Sequence, residues 1–147
     1  MTYGRIIVLI GVLIGLLLIK NTKPKFLKGL LIGLIVSFGI SFFKTELSFI
    51  ISIYSFKVLC LTFIVYSGIK RKWLSLLIGF FALVSFFAKL MYWPYANELR
   101  LVMIVPILCY LMTLRKWESY KTELSILTIF VAYELSEFLA IVLLWVK

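Results

Sequence analysis

Leu124–Lys147 reads LSILTIFVAYELSEFLAIVLLWVK, an apolar run broken near its middle by two carboxylates, Glu134 and Glu137. A membrane-spanning helix needs about 20 mostly apolar residues, and this stretch has that length. Its spacing of three puts Glu134 and Glu137 on one helix face. A central charge costs about 2.5–3.5 kcal/mol in a bilayer, so both groups are expected to face protein or water. The remainder of the chain reads as their housing.

The 147 residues are 64% hydrophobic with a mean hydropathy of +1.14. A soluble domain is about half apolar, so the composition predicts an all-α polytopic membrane protein with a single transmembrane domain over residues 1–147. Six spans are expected: Tyr3–Ile19, Phe26–Phe43, Leu47–Ile69, Trp73–Trp93, Leu99–Leu114 and Leu124–Val146. The connections between them are too short for a soluble domain. The first run ends in Lys20-Asn21-Thr22-Lys23 without a small-residue cleavage site, so it reads as a mature helix and not a leader.

Net charge is +10, with no His and no Asp. Ten of the sixteen basic residues fall on three alternate connections: Lys20, Lys23, Lys25 and Lys28; Lys70, Arg71 and Lys72; Arg115, Lys116 and Lys121. Charge clustered between apolar runs is a topology signal, not a nucleic-acid footprint. The basic side is therefore expected in the cytoplasm and both termini outside, in a bacterial inner membrane. Lys70, Arg71, Lys72, Arg115 and Lys116 are candidates for contact with anionic headgroups or a partner. Tyr92, Trp93 and Tyr95 mark one interface, and Trp73 and Trp117 the other.

Small residues at helical spacing mark candidate helix contacts, because they allow close backbone approach. They are Gly11 and Gly15 in the first segment, Gly29, Gly33, Ser37 and Ser41 in the second, Ser75 and Gly79 in the fourth, and Ala132, Ser136 and Ala140 in the sixth. Pro106 is expected to kink the fifth segment or loosen its hydrogen-bond ladder.

Besides the two glutamates, Lys57 lies near the centre of the third segment and Lys89 toward the outer end of the fourth. The four form a candidate intramembrane charge cluster. At matching depth, Lys57 is expected to pair with Glu134, while the Lys89 stem can bend toward Glu137 or snorkel outward. Such a pair either fixes helix order or relays protons. Cys60 and Cys109 sit in apolar runs, with no CxxC and no Cys/His spacing, and read as buried small hydrophobes. No metal or cofactor is expected. Without His or Asp the chain lacks the parts of a catalytic triad, and no enzyme activity is expected.

Phe87-Ala88-Lys89-Leu90-Met91-Tyr92-Trp93-Pro94-Tyr95-Ala96 resembles the K-x-M-H-W-P-G-A helix-turn-helix element of Bacteroidota inner-membrane proteins, among them the gliding-motility and type IX secretion motor subunit. Tyr92 and Tyr95 stand where that element has His and Gly. The resemblance implies a membrane hairpin and a lineage, without carrying over the motor's proton-coupled glutamate. The expectation is an accessory or scaffold subunit of a larger membrane complex, bound to lipid and to other subunits or itself. The alternative is a small transporter or proton-conducting unit using Glu134, Glu137 and Lys57.

Overall fold

The computed structural model describes residues 2–41, 43, 45–90, 102 and 104–145, all of it helix, turn or coil with no strand among the described residues. The helices are α1 (Thr2–Leu17, continued by a 3-10 turn over Leu18–Asn21), α2 (Lys25–Ser41), α3 (Glu46–Ile69), α4 (Trp73–Leu90), α5 (Ile104–Arg115), a single turn α6 (Trp117–Tyr120) and α7 (Leu124–Trp145).

Local chemistry sets several boundaries. Thr45 caps α3, its hydroxyl oxygen accepting from the Ser48 amide at 3.3 Å, and Glu46 puts negative charge in the first turn. At the far end, Lys72 N–H donates to Ser67 O at 2.9 Å and Arg71 N–H to Gly68 O at 3.0 Å. That is a Schellman closure, and its left-handed position is filled by Arg71 at φ 53° where glycine is usual. The hairpin from α3 to α4 is therefore tight.

α7 is the middle of the molecule. Every residue from Leu124 to Ala132 is buried, a condition met only when neighbours close on all sides of a helix. α1 lies along it as its largest interface, and α4 and α5 take two more sides. α2 and α3 pack on each other, and α3 on α4. Between α3 and α7 the contact is made by rings rather than backbones. Phe56 meets Phe130 at 6.0 Å and Tyr133 at 5.7 Å, and Phe63 meets Phe130 at 5.4 Å.

The three basic connections gather at one end of the bundle. The Thr22 and Ser125 hydroxyls share a hydrogen bond of 2.8 Å, tying the α1–α2 connection to the start of α7. Lys72 Nζ reaches Glu123 Oε2 at 3.0 Å, tying the α3–α4 turn to the same place. Phe26 stacks on Tyr66 there, with ring centroids 5.4 Å apart.

One expectation on the elements needs correction, and another falls partly outside the described residues. Pro106 does not kink a helix: it is the third residue of α5, where a missing N–H breaks no hydrogen bond. The fifth segment is described as a helix only over Ile104–Arg115, twelve residues or about 18 Å. Its expected start, the Met91–Ala96 part of the hairpin element, and Tyr92, Trp93 and Tyr95 all lie outside the described residues. Among the described residues one helix, α3, is both long and apolar enough to cross a membrane.

The expected small-residue faces divide. A Cβ on Gly11 would sit 2.2 Å from Ala132 Cβ, one on Gly15 3.0 Å from Ser125 O, and one on Gly4 3.6 Å from Ser136 Cβ. The glycine face of α1 thus lies directly on the Ala132/Ser136 stripe of α7. A Cβ on Gly33 would sit 3.1 Å from Leu59 Cδ1, and the carbonyl of Ser37 accepts from Ser52 Oγ at 2.7 Å, so that part of the α2 ladder faces α3. Gly79 faces Ile64 and Phe63. A Cβ on Gly29 would meet nothing within 4 Å beyond its own helix, and Ala140 is exposed. Both lie beyond the reach of the neighbouring helix, because the α2–α3 and α1–α7 contacts use other positions of the ladders.

Candidate functional site

Glu134 is the eleventh residue of the 22-residue α7 and has no exposed surface. Both its oxygens lie 2.9 Å from Ser85 Oγ on α4. Ser85 reaches it because Ser75, Ile78, Gly79, Ala82 and Ser85 form one buried face of α4. The sequence pattern that marked Ser75 and Gly79 as a packing stripe extends to Ser85 by the same spacing. That extension was the available signal for the serine.

Ser85 Oγ is also 2.7 Å from Phe81 O, the ordinary back-bond to the preceding turn, and it is engaged further within the chain. A carbonyl can only accept, whereas a hydroxyl can donate or accept. A buried carboxyl group is tolerated where hydrogen-bond partners meet it, and Ser85 is the partner that α4 supplies. The contact ties the middle of α7 to α4.

Lys57 does not pair with Glu134. The ion pairs among the described residues are Lys72–Glu123 and Glu118–Lys121. The Lys57 ammonium lies instead 4.7 Å from the Phe87 ring centroid, 5.2 Å from Tyr54 and 6.0 Å from Phe86. The physical reason is rotation about α3: Phe56 and Phe63 point at α7, and Lys57 turns toward the α4 edge. Ring faces attract a cation by about 0.5–1 kcal/mol when exposed and about 2 kcal/mol when desolvated. Glu137, one turn beyond Glu134, is half-buried. The side chain of Lys89 lies outside the described residues, so the expectation of a Lys89–Glu137 contact falls there too.

Lys72 was expected to face headgroups or a partner and is used inside the molecule. Its ammonium meets Glu123, the carbonyl of Ser119 and the Tyr120 ring at 5.1 Å. The reason is Glu123, which is only 2% exposed and requires a counter-charge at the mouth of α7. Lys70, Arg71, Arg115 and Lys116 are exposed. Sequence reasoning missed this ion pair, together with the Thr22–Ser125 bond and the 2.7 Å contact between the Tyr110 and Thr128 hydroxyls. Each links residues too far apart in sequence for spacing to reveal. Outside the helical bundle, the Glu118 carboxyl is held below its usual range by the hydrogen bond and charge of Lys121.

The described residues also form an apolar groove of about 370 Å³ between α2 and α3, lined by Phe26, Leu61, Thr62, Val65, Tyr66 and Ile69. Glu134 is not part of it. Among the described residues no cluster of His, Cys, Asp or Glu is arranged to hold a metal. Comparison with protein-family models, curated proteins and solved structures finds no match to the chain.

Proposed function

We propose that the chain is a multi-pass protein of a bacterial inner membrane and an accessory subunit of a larger membrane assembly, without catalysis of its own. The observation that carries the membrane reading is an apolar exterior around a core that holds polar groups beside its apolar ones. Ser37, Ser52, Ser85, Thr113, Ser125 and Glu134 are buried, while Ile6, Leu13, Leu17, Tyr54, Val58 and Val65 are among the many exposed large apolar side chains. Soluble monomers rarely leave apolar area of that extent in water, whereas acyl chains solvate it. Six crossings, with the basic end in the cytoplasm and both termini outside, accord with the gathering of the three basic connections at one end. The subunit reading rests on α1 and α3. Each turns a continuous apolar face outward, and nothing in the α2–α3 groove is equipped for chemistry.

Gentle solubilisation of native membranes tests it. A tagged chain is expected to elute with other membrane chains in fixed ratio, and the level of those chains to fall when this one is deleted. Elution of the chain alone, with no change in any other membrane protein on deletion, would overturn the subunit reading.

One observation favours a second reading, a small proton-conducting unit: a carboxyl group buried at mid-helix and met by a hydroxyl of the neighbouring helix. In that case Glu134→Gln abolishes proton flux in reconstituted vesicles while the amount of folded protein stays the same. The subunit reading expects no flux from either protein.

A further inference from the structure

Among the described residues, Lys57 is a mid-helix charge that meets aromatic rings and no carboxylate. It stands eleven residues from the start of α3 and twelve from its end, about 16–18 Å along the axis either way. That is too deep for headgroup phosphates to meet it once α3 spans a bilayer. Lys57 as a whole is half-buried, and its ammonium has aromatic rings of α3 and α4 to its side. The surface of α3 around it is open, with Tyr54 63% and Val58 61% exposed. Ring faces orient a cation but carry no formal countercharge.

From this geometry we infer that the outer face of α3 around Lys57 receives a membrane helix of another protein that carries an aspartate or glutamate at mid-depth. The inference rests on the subunit reading above and names the chemistry of the partner. Charge complementarity selects the occupant: in hydrocarbon a lysine is matched most favourably by a carboxylate. The exposed Tyr54 and Val58 would pack against the incoming helix beside the pair. A second copy of this chain fits poorly. Among the described residues its Glu134 is shut between α4 and α7, Glu46, Glu118 and Glu123 stand at helix ends, and Glu137 is engaged within its own chain.

The probe is a synthetic leucine–alanine membrane helix of about 20 residues with one central glutamate, and a twin with glutamine in its place. The full chain is reconstituted in phosphatidylcholine vesicles, and energy transfer from a dye on the chain to a dye on the probe reads association. The glutamate helix is expected to bind roughly ten-fold more tightly than the glutamine twin. That preference should vanish in Lys57→Met and persist in Lys57→Arg. Equal binding of the two helices to the unsubstituted chain overturns the inference without reference to any variant. So does a preference that survives Lys57→Met, or self-association of the chain that depends on Lys57. The two proposals fail separately. A native assembly that forms equally well with Lys57→Met, together with an unsubstituted chain that binds both probes alike, sinks this inference alone. A Lys57-dependent preference without any native assembly sinks the subunit reading and leaves the recognition chemistry standing.

Discussion

Gly11→Ala adds one methyl group at the closest point between α1 and α7. The new carbon would lie 2.2 Å from Ala132 Cβ, where carbon atoms in contact stand about 3.5–4.0 Å apart. α7 cannot give way, because it is enclosed on its other sides by α4, α5 and the Phe56 and Phe63 rings. α1 must therefore retreat by about 1.5 Å, which loosens the Gly4–Ser136 and Gly15–Ile129 contacts together. Overpacking of this kind costs about 1–3 kcal/mol, and we expect about 2 kcal/mol. Ala132→Gly removes the opposing methyl and alone should cost about 0.5–1 kcal/mol through helix propensity. The double variant should then be close to Ala132→Gly alone, with a coupling energy of about 2 kcal/mol, the whole of the overpacking cost. Reversible unfolding in mixed micelles, followed by tryptophan fluorescence, measures all four corners of the cycle. Additive losses would refute the reasoning, as would a Gly11→Ala protein as stable as the parent.

Arg71→Gly should stabilise the α3–α4 hairpin by about 0.5–1 kcal/mol, since a left-handed conformation costs a side-chain-bearing residue about 1–2 kcal/mol and glycine's extra chain entropy returns part of it; the same unfolding assay reads the gain. Glu123→Ala should lower stability by about 2–3 kcal/mol by removing the counter-charge of the partly buried Lys72, whereas the double variant with Lys72→Met should recover much of the loss. Ser85→Ala should destabilise by about 1–3 kcal/mol because it strips Glu134 of its hydrogen-bond partner, and Glu134→Gln, which keeps a donor, should lose less. Lowering the pH should release the Glu118–Lys121 contact. The folded Glu118 carboxyl titrates below its unfolded value, so its contribution is present above the unfolded value and lost as pH falls through the folded one, which a carbon-13 titration of the carboxyl will follow.

Local pattern carried most of what sequence reading could reach. Apolar runs located α1 to α4 and α7 within a few residues, and the glycine spacing of α1 matched the alanine–serine spacing of α7 without any knowledge that the two would meet. Charge bias grouped the three basic connections that Thr22–Ser125 and Lys72–Glu123 hold at one end. Pairing across the bundle was less accessible. Lys57 and Glu134 stand at similar positions along their helices, but depth says nothing about rotation. About 100° per residue separates a lysine that faces α7 from one that faces α4. Glu123 looked like the edge of an exposed loop, since nothing local distinguishes it from Glu118. Its burial follows only from α7 being enclosed from its first turn.

That enclosure has a consequence for biosynthesis. α7 is made after the helices that are arranged around it, and α1, made before them, has no other large surface to lean on. At about 5–20 residues per second, the N-terminal helix waits some seconds for its mate, its glycine groove open to any passing small-residue helix. A ribosome-bound nascent chain would display that groove throughout the wait, so membrane chaperones or an early-binding companion would find their target there before the molecule closes on itself.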